Sequence, residues 1–314
     1  MTNEEFWKNF AMGKELEIAG NFIYDGLIKF NKMYHFIDDA SFMVLYNLSV
    51  GIERLQKVLI VLLEDEIEDI KEFENSLITH SHIDLQQKIK EKSNICLNQH
   101  QNDFLNLLSR FYKEVRYDRF LYANCETDKA SKFLLNFFST RLNIDIDDNY
   151  PVDFAILERI KSFLGRIVGG ISKLYFEKIV KKCNELNIYT YELSSSSPAY
   201  SIFYTRPNTN NLNNIILDKH IAIKELIVEL INTKEENEFI KFLKSIQPIG
   251  LDPALYSEHL EDLIYDRHSE CLIDEVESIY QEDEIDIDER LGILDCIGNS
   301  RVLFDFDDED EENE

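Results

Sequence analysis

Residues 45–63 read Leu-Tyr-Asn-Leu-Ser-Val-Gly-Ile-Glu-Arg-Leu-Gln-Lys-Val-Leu-Ile-Val-Leu-Leu. Leu45, Leu48, Ile52, Leu55, Leu59 and Leu62 step by three and four, the period of a helix that buries one stripe. From Val58 to Leu63 the segment is apolar all round, which predicts a central position in a helical bundle. That run has Gln56 and Lys57 before it and Glu64 and Asp65 after it. It is far shorter than the roughly 20 apolar residues that cross a bilayer, so no membrane span and no membrane partner is expected.

The helical pattern extends outward from this segment. A polar break follows, with Thr79-His-Ser-His82 at its end, and a helix over 104–122 carries Phe104, Leu108, Phe111 and Val115 on one face. A shorter helix, rich in Phe and Leu, is expected at 129–140. Asp147-Asp-Asn-Tyr-Pro151 is a helix-start signal, and the helix then runs to about Asn187 with Leu157, Ile160, Leu164, Ile167, Ile171 and Leu174 as its stripe. Gly165, Gly169 and Gly170 fall inside it. An internal glycine costs about 1 kcal/mol against alanine, so their presence points to a close crossing with another helix.

Residues 188–217 break the pattern. Ile188-Tyr-Thr-Tyr-Glu-Leu193 and Ala199-Tyr-Ser-Ile-Phe-Tyr-Thr205 cluster β-formers around four serines and Pro198. A small hairpin or an ordered loop is expected near 188–214. Helices resume at 218–232 and 235–246, then at 256–280 and 288–297. With Gly at 10 and Pro at 5 in 314 residues, the chain lacks the turns an all-β or Rossmann-type fold needs. The expected class is all-α: a multi-helix bundle with an acidic helical C-terminal module.

Charge divides the chain. The net formal charge is −27, yet residues 251–314 alone hold 24 acidic and 3 basic side chains. Pro248-Ile-Gly-Leu-Asp-Pro253 interrupts the helices at that point. The expected organisation is a helical bundle with its extension over 1–250, an acidic helical module over 251–306 and a disordered acidic tail over 307–314. So acidic a chain is a poor free-standing binder of nucleic-acid backbone. The start, MTNEEFWKNF, has acidic residues where a secretory leader has a basic region and an apolar run. The five cysteines are dispersed with no Cys-x-x-Cys, as in a reduced, cytoplasmic protein.

Few residues offer chemistry. Tyr112, Arg116 and Arg119 are spaced by four and three on one helix face, a grip for a phosphate. With 60 carboxylates in the chain, pairing with acids is the plainer fate for those arginines. His80-Ser-His82 lacks a nearby carboxylate at helical spacing to complete a metal site and reads as a surface turn. Asp145-Ile-Asp-Asp-Asn149 fails as a calcium loop, with Tyr150 where glycine is needed and Ile156 in place of the closing Glu. No metal and no cofactor is expected.

Three motifs together carry a resemblance. They are Gly51-Ile-Glu-Arg-Leu-Gln-Lys57, then Thr79-His-Ser-His-Ile-Asp-Leu85, then Phe111-Tyr-Lys-Glu-Val-Arg-Tyr117. In this order the segment over about 38–122 resembles the HEPN domain, an all-helical family common in prokaryotic toxin, antiphage and RNA-cutting systems. The resemblance implies a bundle that dimerises. In the family's ribonucleases, an Arg followed after four to six residues by a His does the chemistry: the His acts on the RNA 2′-hydroxyl and the Arg offsets phosphate charge. None of the eleven arginines here has a His at that spacing, and Tyr122 stands in the region after Arg116. Tyrosine is a poor base near neutral pH, with an ordinary pKa of about 10.

Three functions therefore stay open. One is a catalytically degenerate interaction protein of a prokaryotic defence or toxin–antitoxin-type assembly, acting as a homodimer or with a basic protein partner through its acidic surface. Another is a metal-independent endoribonuclease with a rearranged site, in which Arg116 and Arg119, with Tyr112, grip phosphate and Glu53, His80 or His82 does acid–base work. The third is a nucleic-acid mimic that inhibits a basic partner through residues 251–314.

Overall fold

The structure, a computed structural model, describes residues 2–65, 67–120, 129–146, 152–188, 193–204, 213–235, 237–264, 269–282, 285–299 and 301–304. Among these residues there is no strand, and the protein is an all-α multi-helix bundle. No described helix is long and apolar enough to cross a membrane. The chain forms two compact units, Met1–Ile216 and Leu217–Glu314.

In the first unit, α1 (Asn3–Phe6) passes through a five-residue π-helical turn, Trp7–Ala11, into α2 (Met12–Asn31). Then come α3 (Asp38–Leu63), α4 (Ile70–Ser76), α5 (His82–Ser93) and α6 (Gln99–Arg110). The helices α7 (Lys129–Leu142), α8 (Phe154–Glu185) and α9 (Pro198–Phe203) complete the unit. The central element is α3, packed against α2, α5, α7 and α8. Its apolar run Val58–Leu63 is buried on every side, as a helix with no polar face requires. Gly51 lets α3 approach α2, because a Cβ there would lie 2.7 Å from Ile23 Cγ1 and 2.9 Å from the Ala19 carbonyl oxygen. On α8, Gly165 and Gly169 are buried, and Gly170 faces α6, where a Cβ would lie 2.5 Å from Gln101 Nε2.

The structure departs from the sequence expectations in several places. The polar break after α3 contains a helix, α4, started by the Asp69 carboxylate accepting from the Lys71 and Glu72 amides. The helix expected over 104–122 begins at Gln99, within a capping box of Asn98 and Gln101. It widens into a second π-helical turn at Phe111–Val115, and a short 3-10 turn follows at Asp118–Phe120. Asp153 caps α8, and the expected start signal at 147–151 lies outside the described residues. In place of the second arm of a hairpin there is α9. Ser197 caps it and Pro198 opens it, and Ala199 sits against Gly20 while Phe203 stacks on Phe176 at 4.7 Å. Cap and burial together outweigh the β-propensity of Tyr200, Ile202 and Phe203. Residues 189–192 and 205–212 lie outside the described residues.

The second unit takes α10 (Asn213–Asn232) from Leu217 on, with α11 (Glu238–Ser245), α12 (Tyr256–Ile264), α13 (Glu270–Glu282) and α14 (Ile287–Leu294). The acidic segment from 251 lies in this unit, together with 217–250, and its end at 307–314 lies outside the described residues. Phe304 packs on Phe239 and Phe242, and His259 Nε2 meets Glu275 Oε2 at 2.8 Å to link α12 with α13. Among the unit's described hydrophobic side chains, Ile240 alone is buried.

Candidate functional site

One side of α3 faces a groove. Tyr46, Val50, Glu53, Arg54, Lys57 and Val61 recur at helical spacing along that side and form the wall of this groove of about 480 Å³ in the first unit. Facing them are Trp7 of the first π-helical turn, Met12 and Glu15 of α2, Leu77 and His80 of the segment before α5, and Tyr112 and Arg116 of the second π-helical turn and its cap. From Tyr46 to Val61 the groove follows α3 for about 22 Å, at 1.5 Å per residue.

Glu53 organises the middle of the groove. Its carboxylate is nearly buried and has a partner on each oxygen, with Lys57 Nζ at 2.7 Å from Oε1 and His80 Nδ1 at 3.0 Å from Oε2. Because a carboxylate only accepts, Nδ1 carries the proton in this contact, and Nε2 of a neutral imidazole keeps its lone pair. The His80 side chain is half exposed and its ring stacks on Tyr112, centroid to centroid 4.1 Å.

Arg116 sits at the Tyr46 end. Its guanidinium carbon lies 4.2 Å from the Tyr112 ring centroid, 5.0 Å from that of Tyr117 and 5.3 Å from that of Tyr46. Among the described residues no carboxylate pairs with it. Its neighbours contrast: Arg54 pairs with Glu15, Arg110 with Glu114, and Arg141 with Asp103. A second pocket, of about 260 Å³ between α6 and α7, is lined by Arg110 and Arg141, whose charges those acids already offset. The expectation that the arginines pair with surplus carboxylates thus fails at Arg116, where tyrosine rings hold the cation in place by cation–π attraction.

The structure brings Arg116, Tyr112, Glu53 and His80 together and keeps His82 apart. Ser81 caps α5 between the two histidines, and His82 turns inward. Its side chain is wholly buried, with Nε2 2.9 Å from the Ser49 carbonyl oxygen, and burial pushes its pKa below the ordinary imidazole value. Behind the groove it belongs to a polar chain. Gln56 Nε2 donates to the His82 carbonyl and to Tyr175 Oη, and Tyr175 Oη donates to Gln86 Oε1. Burial holds the Tyr175 phenol well above the ordinary tyrosine range, so it acts as a hydroxyl donor. This chain ties α3, α5 and α8 together and fixes the segment that carries His80. The side chain of Arg119 lies outside the described residues.

Sequence reasoning missed Trp7, Tyr46 and Lys57 as groove residues. For the last two a signal existed: Glu53, Arg54 and Lys57, the charged residues between 45 and 63, fall with Tyr46 on one side of the helix. For Trp7 there was none, because its place depends on a contact between remote parts of the chain. Among the described residues, no three His, Cys, Asp or Glu side chains converge as metal ligands would. Comparison of the chain with protein-family models, with curated proteins and with solved structures finds no match.

Proposed function

We propose that this protein is a metal-independent endoribonuclease whose groove seats a phosphodiester of RNA against Arg116. The observation that carries this is the Arg116 guanidinium, which no described carboxylate neutralises, held on tyrosine rings in the same groove as the Glu53–His80 pair. A planar cation fixed in this way suits a phosphate. The contact of His80 Nδ1 with Glu53 leaves Nε2 as the ring nitrogen available to accept a proton.

The reaction then needs only groups of this chain and water. His80 Nε2 takes the proton of the RNA 2′-hydroxyl, the 2′-oxygen attacks phosphorus, and the bond to the 5′-oxygen breaks. The leaving oxygen takes a proton from solvent, and the product carries a 2′,3′-cyclic phosphate. Arg116 offsets the charge that grows on the phosphoryl oxygens. The HEPN resemblance over about 38–122 supports the same chemistry, with the histidine supplied by the segment before α5 instead of the turn after Arg116.

The test is cleavage of labelled RNA by the full chain in EDTA. Products ending in 2′,3′-cyclic phosphate are expected, with the rate down at least about a hundredfold in Arg116→Ala and in His80→Ala. Intact RNA after incubation with the clean full chain defeats this function.

A second reading has its own observation. Tyr256, Leu260 and Leu263 lie exposed at i, i+4 and i+7 on α12, within a segment whose net charge is −21. An acidic surface with apolar anchors fits docking of a basic protein partner, as in a catalytically degenerate member of a defence or toxin–antitoxin-type assembly. A partner captured by the full chain and released by salt supports it. Both readings are of a cytoplasmic protein, in keeping with the dispersed cysteines.

A further inference from the structure

We infer that the groove also holds an unpaired nucleobase at its Trp7 end, so that its ligand is single-stranded RNA gripped by stacking as well as by charge. The orientation of the strand rests on the proposed phosphate seat at Arg116.

The two ends of the groove differ in chemistry. Tyr46 and Arg116 mark one end, and Glu53 with His80 the middle. The other end is built from Val58 and Val61 of α3, with Met12 and Leu77 beside them. Trp7 is held at this end because the next residue, Lys8, donates from Nζ to the Glu64 carbonyl at the close of α3, 2.6 Å away. Phe73 meets the indole edge-to-face, with centroids 6.2 Å apart. Aliphatic side chains offer nothing to a phosphate or a ribose hydroxyl, and the indole adds a single N–H donor to a broad apolar face. They suit a flat, weakly hydrated ring.

A groove of about 22 Å along α3 is longer than one phosphate needs. Its order of an unpaired cation followed by an apolar aromatic slot matches a chain in which anions alternate with flat rings. Single-stranded nucleic acid is such a chain, and binders of single strands pair basic tracks with aromatic platforms. A duplex keeps its bases stacked inside and offers none to a slot. The two aromatic residues at opposite ends, Trp7 and Tyr112, both lie in five-residue π-helical turns, Trp7–Ala11 and Phe111–Val115. Such turns are rare and recur at functional sites. Here one presents each end of the groove.

Trp7 is the chain's single tryptophan, so its emission reports on this end alone. The full chain is titrated with a six-nucleotide 2′-O-methyl RNA, which lacks the nucleophile and cannot be cut. Saturable quenching of Trp7 is expected. The same strand made abasic should bind about tenfold more weakly, as the loss of one stacked base implies. By anisotropy, Trp7→Ala should weaken the base-bearing strand about tenfold and leave the abasic strand unchanged, whereas Arg116→Ala weakens both. The comparison of the two strands on the unaltered chain decides the matter even if a variant fails to fold.

Equal affinity for the two strands, duplex RNA bound as tightly as single strand, or quenching by a basic peptide but not by RNA overturns the inference. Its fate separates from that of the proposed reaction. Base-dependent quenching without cleavage of ordinary RNA keeps the slot and removes the chemistry. Cleavage with no difference between base-bearing and abasic strands keeps the chemistry and removes the slot.

Discussion

The two units spend similar apolar sequence in opposite ways. In the first, Ile52, Leu55 and Leu59 of α3 are fully covered by α2, α5, α7 and α8. In the second, Leu226 and Leu230 of α10, Leu260 and Leu263 of α12, and Ile287 and Leu291 of α14 stand exposed. Both sets recur at helical spacing, so periodicity alone does not separate them. What separates them is company. The first unit has enough long helices to close around one another, whereas helices of eight or nine residues such as α11, α12 and α14 bury little. Short acidic helices also repel as they approach, and 24 carboxylates from residue 251 on have few cations to answer them. The first unit therefore holds the stability and the groove, and the second holds a surface.

The largest effect that tests this division is a cavity at the centre of α3. Leu59 is fully buried, so Leu59→Ala removes its transfer free energy and leaves a void that the surrounding helices fill only in part. A loss of 2–5 kcal/mol is expected for the first unit, about the range seen for such truncations, measured by urea unfolding followed through Trp7. A loss near zero would mean that α3 is not the keystone, and the contrast between the units would collapse.

A smaller effect comes from pH. Burial keeps the folded-state pKa of His82 below the ordinary 6.5, so below that pH the unfolded chain binds a proton that the folded chain refuses. The sign follows: stability is full above about 6.5 and falls as the pH drops, until the depressed folded value is reached. One proton gives a slope of at most about 1.4 kcal/mol per pH unit. Urea midpoints taken between pH 7.5 and 5.5 should fall, and His82→Gln should flatten the profile. A parallel fall in both proteins would assign the slope to other groups, and His82 would lose its role in tying Ser49 of α3 to the start of α5.

Legibility in the sequence tracks this same division. The central place of residues 58–63 was readable because a helix apolar on every side has nowhere else to go. Gly170 was readable as a site of close approach for a related reason. The site was legible only in part. Arg116 and Tyr112 stand out by residue type and spacing and Glu53 through the family resemblance, but His80 and His82 are two residues apart, and only the Ser81 cap and the first turn of α5 decide which reaches the groove. The expected hairpin or ordered loop gives way at 198–203 to a short capped helix packed on Gly20 and Phe176, despite the local β-formers. Trp7 was hidden for the plainest reason: the groove wall it shares with Val58 and Val61 is made some fifty residues away, and no local pattern announces such a meeting.

The smallest expected effect is the most discriminating. Leu263 stands 56% exposed on the stripe that Tyr256 and Leu260 share. If that stripe is surface, Leu263→Ser removes no buried area, and unfolding should shift by no more than about 0.5 kcal/mol. If the stripe closes against another helix in solution, the same change buries a hydroxyl in an apolar contact and costs about 2 kcal/mol or more. The midpoint of unfolding separates the two cases, because a surface leucine and a core leucine differ by at least threefold in that number. A small shift leaves the apolar stripe needing an external reason to exist. In a segment this acidic, leucines held in water at helical spacing are costly for solubility and of no use to the fold, so a small shift would favour the basic partner proposed above. Its chemistry would be complementary: apolar where α12 is apolar, and basic around that contact.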